Sequence, residues 1–197
     1  MAGAHEHVEH AEHTEHVAHS NKNIALLIAV IALFLAFSET LGKSAQTAAL
    51  SYNVEASNLW AFFQAKTIRM TTLLTAAETA ELQLSLLADP RVREAMEKRI
   101  TDWKKTAARY DSEPETKEGR KELAERARAS ETKRGRSLAA YHHYEVASAA
   151  VQIAIVLASA AIITGASALV WIAGALGIVG VVFSGIGLFA PTSVHLF

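Results

Sequence analysis

From Val146 to Phe197 the chain carries no Asp, Glu, Lys or Arg, while all 19 basic and 20 acidic side chains lie before it. A stretch so long and so free of charge has few ways to fold. A bilayer core of about 30 Å calls for roughly 20 apolar residues as helix, because lipid offers no partner for an unpaired backbone group. Val146–Thr164 and Ala168–Ala190 each meet that length, and Thr164-Gly165-Ala166-Ser167 makes a short break between them. The pair reads as a hairpin of antiparallel membrane helices. A buried helix pair in a soluble bundle would need a large apolar shell, and the rest of the chain is too polar to supply one.

A third apolar run, Ile24–Leu41, lies near the N-terminus. It has no basic region before it, follows acidic and histidine-rich residues, and ends in Ser38-Glu39-Thr40 where a cleavage site would need small residues. It therefore reads as an uncleaved anchor and not as a signal peptide. The expected fold class is all-α: an integral membrane protein with three transmembrane helices and a long helical cytoplasmic stalk between the first and second. The expected segments are a disordered tail over 1–23, spans over 24–41, 146–164 and 168–190, a helical soluble region over 42–145, and a short tail over 191–197.

Basic residues near the helix ends set the orientation. Lys43 follows the first span, and Arg126, Arg128, Lys133, Arg134 and Arg136 precede the second. The hairpin connection and the C-terminal tail hold none. Residues 42–145 and the C-terminus are thus expected inside, with the N-terminus outside. Each span also carries small residues at three- and four-residue steps: Ala25, Ala29, Ala32, Ala36 in the first; Ala147, Ala150, Ala154, Ala158, Ala161, Gly165 in the second; Ala173, Gly177, Gly180, Ser184, Gly187 in the third. Such faces let helix backbones approach closely in lipid, within one subunit or between several. Gln152, the one amide of the second span, suits an interhelical hydrogen bond.

In the middle region, Ser44–Ala88 contains neither Pro nor Gly, so the first helix is expected to continue through it. Asp89-Pro90 breaks it and starts a second helix, roughly Arg91–Tyr110. After a break at 111–114, a third helix from about Glu115 runs into the second span. Leu50, Val54, Ala61, Ile68, Leu82 and Leu86 approximate a heptad seam, interrupted by Thr72, Thr75 and Thr79, so a coiled coil has partial support.

The segments Phe37–Thr47 (FSETLGKSAQT), Asn53–Arg69 (NVEASNLWAFFQAKTIR), Tyr110–Thr116 (YDSEPET) and Gln152–Ser159 (QIAIVLAS) resemble an uncharacterised bacterial membrane-protein family, the domain of unknown function numbered 4337. The resemblance covers most of the chain beyond the N-terminal tail. It implies a bacterial inner-membrane setting, and no activity, ligand or catalytic residue.

Residues with chemistry are few. The tail repeats a Glu-His-x triplet and places His5, His7, His10, His13, His16 and His19 within fifteen residues. Imidazoles at that spacing can share a divalent transition metal such as zinc, nickel or copper, and they titrate between about pH 5 and 8. The competing reading is a solvated tail that binds metal only incidentally. Neither His-Glu-x-x-His nor its inverse occurs, so metalloprotease chemistry has no support. Cysteine is absent, which excludes disulfides, thiolate metal sites and cysteine nucleophiles. Gly42-Lys43-Ser44 matches the end of a phosphate-binding loop, but the earlier glycine would fall at Phe37, and a membrane helix precedes it.

Glu39 and Lys43 stand four apart at the inner membrane boundary. They suit a helical salt bridge that sets membrane depth, or a polar lining for an ion path. Trp60, Phe62 and Phe63 suit packing within the stalk or an oligomer interface, or a flat helix at the headgroups, and His142 and His143 an interfacial belt. The Arg120–Arg136 run alternates with Glu122, Glu125 and Glu131, which favours a solvated face with i,i+4 pairs over nucleic-acid binding. The chain is expected to be a non-enzymatic, homo-oligomeric membrane scaffold or interaction protein whose partners are lipid and its own copies. The alternatives are a small channel or transporter subunit, and a metal-binding or pH-responsive protein acting through the histidine repeat.

Overall fold

The computed structural model describes residues 22–194. The tail over 1–23, with its six histidines, falls almost wholly outside the described residues. Four helices follow in order: α1 runs Lys22–Leu84 over the described residues, α2 Pro90–Asp111, α3 Arg120–Thr164 and α4 Ser167–Phe189. Among the described residues there is no strand. The fold is all-α, and α1, α3 and α4 are each long and apolar enough to cross a membrane. The chain divides into two compact units, Met1–Ala48 with Arg136–Phe197, and Ala49–Gly135.

The breaks have local causes. Asp89 caps α2 by accepting the Arg91 N–H at 2.8 Å, and Pro90 occupies a first-turn position where no N–H is needed. The Ser112 N–H closes the far end of α2 on the Ala108 carbonyl. A turn with Lys117 at φ 57° then leads to α3. The sequence places the start of this helix near Glu115, and the structure delays it to Arg120. Gly119 explains the delay. A Cβ there would collide with the Glu122 carboxylate and with the backbone of Ser112 and Glu113, so only glycine fits this crossing. Between α3 and α4, Gly165 sits at φ 70°, the left-handed position that ends a helix. It is a turn residue and not part of a packing stripe.

In the first unit, the alanine face of α3 is buried: Ala147, Ala150, Ala154, Ala158 and Ala161. So are Ala173, Gly180, Ser184 and Gly187 of α4. Ile31 packs with Val151, Ala154, Ala158 and Ala173, and Leu27, Ile28, Phe34 and Leu35 fill in around them. The stripe on α1 behaves differently. Ala25, Ala29, Ala32 and Ala36 all face outward. Close approach requires only one of two facing surfaces to be small, and here α1 supplies the large side chains.

In the second unit, Leu59, Leu123 and Ala127 form one apolar cluster with Trp60 and Phe63. Ala77, Ala80 and Ile100 form another with Leu84, Met96 and Trp103. Burying a side chain such as Ile100 contributes about 2 kcal/mol, and these clusters are where α1 meets α2 and α3. The expected heptad seam is not among them. Leu50, Val54, Ile68, Leu82 and Leu86 are 58–82 % exposed, and Ala61 is exposed as well. The buried positions lie on the opposite side of α1, where alanines and aromatics allow α2 and α3 to pack closely.

Candidate functional site

The polar groups of the first unit gather at one level. Ser38 of α1 and Ser184 of α4 are buried with their hydroxyl oxygens 2.9 Å apart. Gln152 of α3 donates its Nε2 to Glu39 Oε1 at 3.1 Å. Ser38 and Glu39 are adjacent in sequence and so project about 100° apart around the helix, and their two bonds tie α1 to both α4 and α3. The expected Glu39–Lys43 salt bridge does not form among the described residues. Glu39 has the Gln152 amide within reach, and Lys43 remains exposed.

Close backbone approaches continue beyond this level. A Cβ on Gly42 would lie 3.2 Å from the Tyr144 Cβ, and one on Gly187 would lie 3.1 Å from the His143 Cβ. His143 is 1 % exposed, and its Nε2 donates to the Pro191 carbonyl at 3.1 Å. Its ring lies 6.0 Å from that of Phe183. This histidine anchors the chain after α4 and does not belong to an interfacial belt. The sequence signal near it was the small-residue face that includes Gly187, which marks a close contact without naming the partner.

The Ser38–Ser184 bond is internal, whereas the Glu39–Gln152 pair is not. Both of its side chains are exposed on the surface of the unit, among exposed Phe37, Ile153 and Val156. An amide and a carboxylate thus stand beside large exposed apolar side chains. Polar side chains are costly in hydrocarbon and normally face a protein or aqueous interior.

The second unit uses its polar side chains for its own corners. Trp60 Nε1 donates to Glu131 at 2.8 Å, and its ring meets Phe63 edge-on at 5.4 Å. Two of the three clustered aromatics are therefore stalk packing, while Phe62 stays 54 % exposed. The charges of the Arg120–Arg136 run pair across the fold instead of along the helix. Lys121 and Arg120 reach Asp111 at 2.7 and 3.7 Å, and Arg134 donates to Asn53 at 2.9 Å. Lys121 hydrogen-bonds Asp111 and holds its carboxyl below the usual range. The Ser112 hydroxyl, 2.6 Å from Glu122, does the same for that residue. Arg109 holds Glu113 down in the same way.

Among the described residues, no three His, Asp or Glu side chains come together as a metal site. His5, His7, His10, His13, His16 and His19 lie outside the described residues. What the arrangement can do is clamp helices and present a carboxylate–amide pair outward. No curated protein and no solved structure matches the chain. The family model for the domain of unknown function DUF4337 matches residues 20–190, which is nearly all of the polar level and both units. The chain belongs to the DUF4337 family.

Proposed function

We propose that the protein is a non-enzymatic, homo-oligomeric scaffold of the bacterial inner membrane. In this reading the N-terminus lies outside, and residues 42–145 and the C-terminus lie in the cytoplasm. The observation that carries it is the exposed Glu39–Gln152 pair. Left against lipid, such a pair is costly; covered by a neighbouring copy, it sits in a protein interior. The outward face of Ala25, Ala29, Ala32 and Ala36 lets that copy approach closely. Native mass spectrometry of the full chain in detergent and in nanodiscs tests the reading. A dimer or higher oligomer is expected, and a monomer in both settings refutes it.

The same exposed pair favours one second reading, a small channel subunit whose copies bring Glu39 to a shared pore. Ion flux into liposomes that changes with Glu39→Gln would support it. Absence of flux in the wild-type chain would end it.

A further inference from the structure

The outer face of α1 in the second unit has an unusual composition. Leu50, Val54, Ala61, Ile68 and Leu82 recur at steps that keep them in line along the helix, and all five are exposed. The positions that complete this line are Ser57, Gln64, Thr72, Thr75 and Thr79, likewise exposed and all without charge. The charged residues of this stretch, Glu55, Lys66, Arg69, Glu78 and Glu81, fall on other sides of the helix. By contrast, exposed positions of α2 include Arg91, Arg93, Glu94, Glu97 and Lys98, as expected of a surface in water. A single exposed leucine needs no explanation, but an uncharged apolar line of this length does.

Two threonines on this line already have their hydroxyls occupied: Thr72 donates to the Ile68 carbonyl at 2.9 Å and Thr79 to the Thr75 carbonyl at 2.8 Å. These hydroxyls keep a partner when water leaves, so docking does not incur the usual cost of an unpaired polar group. Toward its C-terminal end the line forms one wall of an open cleft of about 660 Å³, with Met96, Arg99 and Trp103 opposite.

We infer that this face is where a second copy of the chain docks, with the two α1 helices side by side and in register. The inference rests on the oligomeric reading above and names its surface. Charge selects the occupant. Copies inserted the same way round are related by an axis normal to the membrane, so each position near that axis faces its own counterpart. Any charge there would meet a like charge, and the line from Leu50 to Leu82 contains none. An anionic lipid surface would instead call for a predominantly basic flank, whereas the charges beside the line are of mixed sign, with Lys66 and Arg69 against Glu55, Glu78 and Glu81. A charged partner protein would call for complementary charges that the line does not offer. Size agrees. Thirty-odd helical residues span about 50 Å, and a strip about 10 Å wide gives roughly 1,000 Å² over both copies, the lower bound for a specific interface.

The natural chain has no cysteine, so single-cysteine variants of the full protein report contacts directly. Ala61→Cys and Ile68→Cys are oxidised in native membranes beside Lys98→Cys on α2 and Arg128→Cys on α3. Covalent homodimers at 61 and 68, several-fold above the two controls, are expected. In the Ala61→Cys background, adding Ile68→Glu should lower the yield by about tenfold or more, because it places like charges together. Equal yields at all four positions overturn the inference, as does a product whose mass is that of a different protein. If native mass spectrometry finds an oligomer while 61 and 68 stay uncrosslinked, only this surface assignment fails. A monomer without crosslinks removes the oligomeric reading too.

Discussion

Gly180 gives a sharp test of how the helices of the first unit are held. A Cβ at this position would sit well inside contact distance of Val151 Cγ2 and 3.3 Å from the Ala147 carbonyl oxygen. Val151 is fully buried, its branched side chain is stiff, and the carbonyl belongs to backbone. Gly180→Ala must therefore push α4 away from α3. Overpacking of this kind costs about 1–3 kcal/mol, while alanine gains about 0.5–1 kcal/mol over glycine in a helix. The net loss should be about 1–2 kcal/mol. Gly174 and Gly185 supply the control, because nothing lies within 4 Å of a Cβ at either. Gly174→Ala and Gly185→Ala keep the helix gain without the collision. Comparing them with Gly180→Ala isolates the packing cost. Val151→Ala should partly rescue Gly180→Ala, with a coupling of about 1–2 kcal/mol, as residues in direct contact are not additive. Reversible unfolding in mixed detergent, followed by circular dichroism, measures the wild type, the three glycine variants, Val151→Ala and the Val151→Ala/Gly180→Ala double variant. Equal stability of the 174 and 180 variants, or additivity of 151 with 180, would refute the close α3–α4 contact.

Three further outcomes follow from the polar contacts. Ser38→Ala or Ser184→Ala alone should cost about 0.5–1.5 kcal/mol in the same unfolding assay, and the double variant little more than either one, because the buried bond leaves a hydroxyl unpaired only when one partner is lost. Trp60→Phe removes the N–H donated to Glu131 but keeps the ring, so thermal unfolding of the second unit should show a loss of about 1 kcal/mol; no change would mean the bond is made equally well by water. Asp111, Glu113 and Glu122 titrate below ordinary carboxylates in the folded chain. Their contribution is therefore present above about pH 4 and disappears as pH falls through the depressed values. From pH 6 downward the melting temperature should fall by more in the wild type than in Ser112→Ala, which lacks the hydroxyl that holds the Glu122 carboxyl down.

Much of the fold was legible because its causes are local. Asp89-Pro90 stops one helix and starts the next by capping chemistry alone. The length of uncharged sequence after Val146 marks two spans, and Gly165 supplies the turn. The faces of α3 and α4 were legible as well, since five alanines on one side of α3 leave little else to face a neighbour. The face of α1 was not. Its alanine stripe and its leucine line both suggest burial, yet the structure buries neither, and packs Ile31, Leu59, Phe63 and Ala77 instead. A stripe records that a surface is able to pack, and cannot say whether the partner lies in the same chain. Glu39 shows the same limit at the polar level. Lys43 is its neighbour along the helix, but Gln152, more than a hundred positions away, is the group that reaches it. Sequence spacing reveals the first kind of neighbour only.

The turn between α3 and α4 has a consequence for how the chain reaches its place in a bilayer. The Gly165 N–H donates to the Ala161 carbonyl, the Ala166 N–H to the Thr164 hydroxyl, and the Leu169 N–H to the Ala166 carbonyl. The Thr164 hydroxyl in turn donates to the Ala160 carbonyl. A connection that must be carried through hydrocarbon is opposed by every charge and every unpaired polar group it holds. This one holds no charge and arrives with many of its donors already occupied. The tip of the hairpin thus presents a bilayer with little that opposes its entry.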